Sequence, residues 1–466
     1  MANHEYDIAI IGSGIIGLFI AYELAHYNAR ILVIDKNAEP GFGVSKGHAG
    51  VIHVVQPPFN TLRSKLAIEG NKLYDDVSRK LHVKLKRMST ILVAEGLTHL
   101  LALPAIWLVL RRVYGKHGFK ISIIGSRELS RLEPNVKGLG GIKIDGYGVI
   151  NSFELVYQLY NFCLLNGVDF LFGTNINNAR ISNDRVIIST SGGEYEARLL
   201  VNAAGLYSTE IAKMFGDKYR IEFGKGAMLV FWGEQTRSIV TPLQLMPNPK
   251  TKGGAIIPTI FGTTIWGPSL SAGNRDDRAV NGNDIQALFD KFKRLMPEYE
   301  AIPIKAYAGV RPIPEGDDFI ITHSNSSNRV IHLIGIESPG LTAAPAIARK
   351  VIDLIKDSGI ALQAKSDIKE VEPIVFTRDL ISDGKDITDD PGEVVCPCMA
   401  ITRSDIRNAI KRGARTLDGV AFITGLGMGI CQGMCIGNAI KVISEELNID
   451  PEKLTKSGGD SWLVTR

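Results

Sequence analysis

Three features predict an α/β chain of three parts: a Rossmann-like dinucleotide-binding domain, an antiparallel-sheet domain inserted into it, and a small helical cysteine domain at the C-terminus. The first feature is a strand that runs through a glycine-rich turn into a helix at the N-terminus. The second is a set of short β-branched and aromatic runs between residues 216 and 307. The third is four cysteines, Cys396, Cys398, Cys431 and Cys435, all close to the C-terminal end. A length of 466 residues agrees, since about 150 residues per domain gives three.

At the N-terminus, Tyr6–Ile11 has the apolar pattern of a buried strand and leads into Gly12-Ser13-Gly14-Ile15-Ile16-Gly17, then a helical stretch from Leu18 to Tyr27. A second strand, Ala29–Ile34, ends at Asp35. Each part has a mechanical reason. Gly12 makes the turn, Gly14 lets backbone approach a pyrophosphate and Gly17 lets the helix pack closely. Ile15 and Ile16 begin the helix whose exposed N–H groups receive the phosphates, and Asp35, followed by Lys36, accepts from a ribose hydroxyl.

After Asp35 the chain departs from the plain strand and helix of a nicotinamide domain. Gly41 to His53 forms a long, polar, glycine-rich loop that holds Ser45, Lys46, Gly47, His48 and Gly50. Further on, Leu199–Asn202 reads as a strand ending in Ala203-Ala204-Gly205. Val330–Gly335 leads into Ser338-Pro339-Gly340-Leu341-Thr342 before a helix near 343–356. Three strand ends far apart in sequence thus converge on one ligand.

With these stretches, and with Leu66–Lys72, Ala308-Gly309-Val310-Arg311-Pro312 and Gly335–Pro345, the chain resembles the glycine oxidase/D-amino-acid oxidase superfamily of FAD enzymes. Within it the chain is similar to the branch that holds the catalytic subunit of anaerobic glycerol-3-phosphate dehydrogenase and L-2-hydroxyglutarate dehydrogenase. The resemblance implies FAD as cofactor and a discontinuous FAD-binding domain of residues 1–80, 140–215 and 308–362. Residues 81–139 and 216–307 would form a substrate domain that roofs the flavin. Independent support comes from the runs Lys225–Trp232, Ala255–Ile260 and Thr263–Trp266, and from a helical stretch at 283–296 with Ile285, Leu288, Phe289, Phe292 and Leu295 on one face. The polar segment 363–391 reads as a connector.

In the last part, 392–466, Cys396-Pro397-Cys398 is followed after 32 residues by Cys431-Gln432-Gly433-Met434-Cys435. Thiolates are soft ligands that suit zinc or iron–sulfur clusters. A helix over 402–412 is expected between them, capped by Thr402 or Ser404. This part resembles the BFD-type 2Fe-2S domain, with two departures: three residues instead of four separate the second pair, and Met399 stands where an acid is expected. Structural zinc and four thiols without metal are the alternatives. Cys163, on an apolar stretch, is expected in the core.

The implied activity is oxidation of sn-glycerol 3-phosphate to dihydroxyacetone phosphate, with electrons passed to a quinone or a partner protein. L-2-hydroxyglutarate or another 2-hydroxy acid, or an amino acid, is the alternative substrate. A non-catalytic electron-transfer subunit is the alternative of a different class. His53 is the candidate base, because an imidazole titrates near neutral pH, and His48 is its rival. Arg311 matches the superfamily arginine that clamps a carboxylate or phosphate, or else forms a structural ion pair. Lys225 and Lys252 are further anion ligands, and Arg275 and His323 rank below them.

A formal net charge of +4 and a pI near 8.6, with no basic block interleaved with aromatics, exclude a nucleic-acid partner. The chain opens almost directly on a strand without a leader pattern, from which a cytoplasmic location is expected. One stretch is out of place. Leu97–Leu110, LTHLLALPAIWLVL, is followed by Arg111, Arg112, Lys116 and Lys120. As a helix it would span about 21 Å, short of a bilayer of roughly 30 Å. It would dock to an anionic membrane surface or a membrane-anchoring partner, or else be buried in the roofing domain or a homodimer interface.

Overall fold

The computed structural model describes residues 5–245, 253–300, 302–387 and 390–464. The first third of the chain comprises β1 (Glu5–Ile11), α1 (Ile15–Leu24), β2 (Ile31–Ile34), β3 (Val51–Ile52), α2 (Leu62–Lys80), β4 (Leu85–Val93), α3 (Leu97–Tyr114), β5 (Ile121–Gly125), α4 (Ser126–Leu132), β6 (Gly140–Ile150) and α5 (Ser152–Leu165). Next come β7 (Val168–Leu171), β8 (Ile176–Ser182), β9 (Arg185–Thr190), β10 (Gly193–Asn202), α6 (Ser208–Met214), β11 (Ile221–Trp232), β12 (Ile239–Pro242), β13 (Ala255–Pro258), β14 (Thr263–Ala272), α7 (Gly282–Phe292) and β15 (Pro303–Pro314). The chain closes with β16 (Ile320–His323), β17 (Val330–Ile334), α8 (Gly340–Asp357), α9 (Thr377–Ser382), β18 (Val394–Cys396), β19 (Ile401–Thr402), α10 (Arg403–Lys411), α11 (Leu417–Thr424) and α12 (Ile436–Leu447).

One sheet has the order β16-β17-β10-β1-β2-β7, with the β8–β9 hairpin beside β10. β17, β10, β1, β2 and β7 run parallel. Their side chains are apolar on both faces and buried, as a parallel sheet between helices requires. The carboxyl ends of β1, β10 and β17 therefore share one edge, and a ligand of an open α/β sheet sits at that edge.

The second sheet has the order β15-β11-β14-β13-β12-β4-β6-β3, with β5 beside β6. It takes in β3, β6 and residues 308–314 of β15, which the boundaries drawn from sequence assign to the first domain. The cause is long-range pairing: β6 is matched to β4 from Leu85↔Ile150 to Val93↔Gly141, and β15 is matched to β11. Neither pairing leaves a local signature.

Residues 363–387 are no free connector. Val371, Ile374 and Phe376 are buried, and Gln158 Nε2 donates to the Glu372 carbonyl at 3.0 Å. The segment straps the C-terminal part onto the first sheet. α10 starts at a capping box, in which the Thr402 side chain accepts from the Asp405 N–H and Asp405 accepts in return from Thr402 N–H. Phe422 of α11 stacks on Phe153 of α5 at 4.4 Å and meets the Phe42 ring edge-on at 5.4 Å. Glu39, buried beneath α11, accepts from the Arg415 N–H at 3.0 Å and from the Tyr157 hydroxyl, while burial raises its pKa. One continuous apolar core runs from α1 through α8 into α10–α12.

Candidate cofactor and substrate site

A cavity of about 960 Å³ opens between the carboxyl edge of the first sheet and the inner face of the second. That is the upper end of the size expected for a cofactor or ligand pocket. Its wall brings together Gly12, Gly14, Ile15, Ile16, Asp35, Lys36, Ser45, Gly47, His48, His53, Ala203, Ala204, Gly205, Arg311, Ser338, Gly340 and Leu341. Gly17, Lys46, Gly50, Gly335 and Thr342 stand behind this wall. Lys46 lies over the Phe42 ring at 5.2 Å and 3.9 Å from Asp418. Thr342 Oγ1 accepts from the His53 N–H at 3.0 Å and donates to the Val51 carbonyl.

The turn after β1 is as tight as its glycines allow. A Cβ on Gly12, whose φ is +104°, would come within 2.5 Å of the Ala203 carbonyl oxygen, and one on Gly17 within 1.9 Å of the Gly12 carbonyl oxygen. β1, β10 and α1 can approach one another only with both positions bare. Ser45 Oγ accepts from the Ile15 N–H at 2.9 Å and so ties the polar loop to the start of α1. Asp35 is more occupied than a simple ribose acceptor. It takes Ser13 N–H and Oγ–H, both at 2.7 Å, and Asn37 N–H and Nδ2–H at 2.8 and 2.9 Å. Lys36 lies over the Tyr207 ring at 3.5 Å.

The residues fit a dinucleotide with a buried ring system. The N-termini of α1 and α8 both open onto the cavity; the first N–H of each is taken, by Ser45 Oγ and by the Glu337 carbonyl, and the next N–H groups of both first turns are left for one ligand. His48 gives a second sign. Both its ring nitrogens are buried on the cavity wall and have no partner in the protein, and a buried polar group ordinarily has one. Burial pushes its pKa down to about 4, so the ring is neutral and offers one donor and one acceptor to a ligand.

One charged part of the wall is built from Arg311 and Glu337, backed by Arg63, and of these sequence patterns single out Arg311 alone. Arg311 on β15 lies across Gly224 of β11, where a Cβ would come within 3.0 Å of its Nε. Its Nη1 is 3.0 Å from Glu337 Oε2, and Arg63 Nη1 is 2.9 Å from Glu337 Oε1. Arg63 is fully buried and Glu337 nearly so. Burial draws the Arg311 pKa down, with Glu337 acting against it. Two guanidiniums on one carboxylate leave a single net positive charge. Arg311 and Glu337 line the cavity, and Arg63 stands behind them. A lone acid in the apolar Gly335–Leu341 loop was the available signal for Glu337. Tyr147, which no motif marks, lines the cavity with its ring 6.0 Å from that of His53, and its hydroxyl accepts from the Val55 N–H.

The lysine expectations do not hold in the same way. Lys225 is turned off the cavity into a buried ion pair, 3.0 Å from Asp284 and 3.5 Å from Asp277, which removes it as a free anion ligand. Lys252 lies outside the described residues. Arg275 pairs with Glu210 and lies over Tyr207, and His323 sits on the edge strand β16; neither lines the cavity.

In the C-terminal part the thiols meet. Cys396 and Cys398 Sγ are 3.7 Å apart, Cys398 and Cys431 Sγ 3.1 Å, and Cys435 reaches both Cys396 and Cys431. A Cβ on Gly429 would stand 2.6 Å from Cys398 Sγ, so the glycine leaves room for the sulfur. Four soft donors on two facing loops fit a 2Fe-2S cluster. Cys163 is buried in α5, away from them.

Known proteins resemble both parts of the chain. Residues 7–354 match the family model for FAD dependent oxidoreductases, and residues 394–445 match that for the BFD-like [2Fe-2S] binding domain. A glycerol 3-phosphate dehydrogenase of Caloramator mitchellensis is 27% identical over 99% of this chain and 98% of its own length. A glycerol 3-phosphate oxidase of Mycoplasma genitalium is 27% identical over 75% of this chain and 94% of its own. Among solved structures, the FAD-bound L-α-glycerophosphate oxidase of Mycoplasma pneumoniae superposes with a TM-score of 0.72 at 24% identity, covering 78% of this chain and 97% of that one; this likeness is one of fold.

Proposed function

The chain belongs to the FAD dependent oxidoreductase family, and we propose that it oxidises sn-glycerol 3-phosphate to dihydroxyacetone phosphate. The assignment rests on the buried Arg311–Glu337–Arg63 cluster, which sets one net positive charge on the same cavity that His53 lines. The glycerol 3-phosphate dehydrogenase of Caloramator mitchellensis, similar along the whole chain, supports it.

The Arg311 guanidinium binds the substrate phosphate and is held in place by Glu337. The His53 ring takes the proton of the substrate hydroxyl as the C2–H bond gives up its hydride. Thr342 Oγ1 and Asn71 Nδ2 fix the His53 backbone on either side, at 3.0 and 2.8 Å, so the ring is presented by a rigid segment. The first turns of α1 and α8 and the neutral His48 ring hold the cofactor. When bound, FAD supplies the two-electron acceptor for the hydride, and the 2Fe-2S cluster a route for electrons to a quinone or a partner protein. With a quinone as the acceptor, the enzyme would work from the cytoplasm at the inner face of the membrane.

Anaerobic mixing of the FAD-loaded protein with substrate tests the assignment. Glycerol 3-phosphate should bleach the flavin absorption, whereas L-2-hydroxyglutarate and glycine should not. Bleaching by L-2-hydroxyglutarate alone would move the enzyme to 2-hydroxy-acid oxidation, and no bleaching by any of them would remove the dehydrogenase assignment.

A further inference from the structure

Helix α3 carries an apolar stripe on its outer side. Leu97, Leu101, Pro104 and Leu108 succeed one another at helical spacing and face solvent, with Leu97 71%, Leu101 81% and Leu108 54% exposed. Val109 is exposed beside them. A surface helix ordinarily turns such a stripe inward and shows polar residues outside. Here the inner side is apolar as well. Leu103, Leu110 and Tyr114 are buried, Trp107 Nε1 donates to the Ile121 carbonyl at 2.9 Å, and the Tyr114 hydroxyl accepts from the Gln56 N–H at 2.9 Å.

The inner contacts decide between crossing a membrane and lying on one. The Leu97–His117 helical stretch has the length and composition to cross. To do so it would have to abandon Leu103, Leu110 and Tyr114, which belong to the core of the second sheet. It stays in the domain and shows the bilayer one side only.

Charge identifies what covers that side. No Asp or Glu occurs from Leu97 to Gly125, and the C-terminal end of the stripe is followed by Arg111, Arg112, Lys116 and Lys120, all exposed. Leucines that enter the acyl boundary beside cations at phosphate depth are complementary to an anionic leaflet. We propose that α3 docks this protein flat on an anionic membrane surface. Ile106 and Leu110, on the inner side of the helix, line the main cavity. Docking would set that cavity about one helix diameter, some 10 Å, from the lipid, where a lipid-soluble acceptor arrives. The proposal deepens the acceptor part of the assignment above and is independent of the substrate.

Flotation of the FAD-loaded protein with vesicles tests it. The protein should float with vesicles of equal parts phosphatidylglycerol and phosphatidylcholine, and much less with phosphatidylcholine alone. Leu101→Asp/Leu108→Asp should lower the bound fraction at least tenfold. Arg111→Ser/Arg112→Ser should lower it roughly fivefold per charge at low salt. Flavin absorption and turnover with a water-soluble acceptor should be unchanged in both variants, because the four side chains lie outside the cavity wall. A parent protein that does not float, or an aspartate variant that floats as well as the parent, overturns docking. So does a dimer that the aspartates split without any vesicle binding, which would give the stripe to a second copy. Failure to oxidise glycerol 3-phosphate leaves the flotation result standing.

Discussion

Arg311→Ala removes one cation from the cavity wall and spares the pair behind it. Arg63 Nη1 keeps Glu337 Oε1 at 2.9 Å, so the variant retains a neutral buried pair and no orphaned charge. The opposite change, Glu337→Ala, leaves two guanidiniums without their carboxylate, one of them fully buried, at a cost of about 3–5 kcal/mol. Arg311→Ala should therefore fold and bind FAD, while Glu337→Ala should lose much of its stability. What Arg311→Ala loses is a charge-assisted hydrogen bond to the substrate anion, about 1.5–3 kcal/mol. At about 1.4 kcal/mol per factor of ten, that is roughly 10- to 150-fold in kcat/KM for glycerol 3-phosphate. Steady-state turnover with a soluble acceptor, on glycerol 3-phosphate and on uncharged glycerol, isolates the effect, since glycerol has no anion to lose. Arg311→Lys, which keeps the charge but not the planar fork, should fall between parent and alanine. Equal KM and kcat for parent and Arg311→Ala on glycerol 3-phosphate, or equal losses on both substrates, would refute the role.

His48 and the cysteines give two more expected outcomes. Because burial holds the His48 ring at about 4 against an ordinary 6.5, the unfolded chain binds a proton that the folded chain refuses between those pH values. FAD-stripped protein should therefore lose roughly 3 kcal/mol of stability as pH falls from 6.5 to 4, read as a falling urea midpoint. His48→Asn should flatten that slope, and an unchanged slope would show that the ring titrates normally. Cys398→Ser and Cys431→Ser should each abolish bound iron and acid-labile sulfide in anaerobically prepared protein while FAD is retained. Cys163→Ser, buried in α5, should leave iron content as it is.

The parts legible in the sequence are those whose causes are local. β1, the Gly12–Gly17 turn and α1 are specified by residues within one short segment, and so are the capping box of α10 and the paired cysteines. The resemblance carried by the motifs names the same family as the match over 7–354. What could not be read is what depends on a distant partner. Lys225 has the position of an anion ligand on an inner strand, but Asp284 at the start of α7 neutralises it. Glu337 is unremarkable in sequence until folding puts Arg63 and Arg311 on either side of it.

A nucleotide-binding α/β chain with an oxidoreductase family's motifs and a four-cysteine C-terminal part was therefore readable from residues alone, because turn geometry, capping and ligand chemistry act over a few positions. Which charges survive in the cavity, which of β3, β6 and β15 join the roofing sheet, and which side of α3 faces out were settled by folding. Ion pairing, strand pairing and burial are set by groups far apart along the chain, and a helix with apolar residues on both sides has the same periodicity whether both are covered or one is left to another surface.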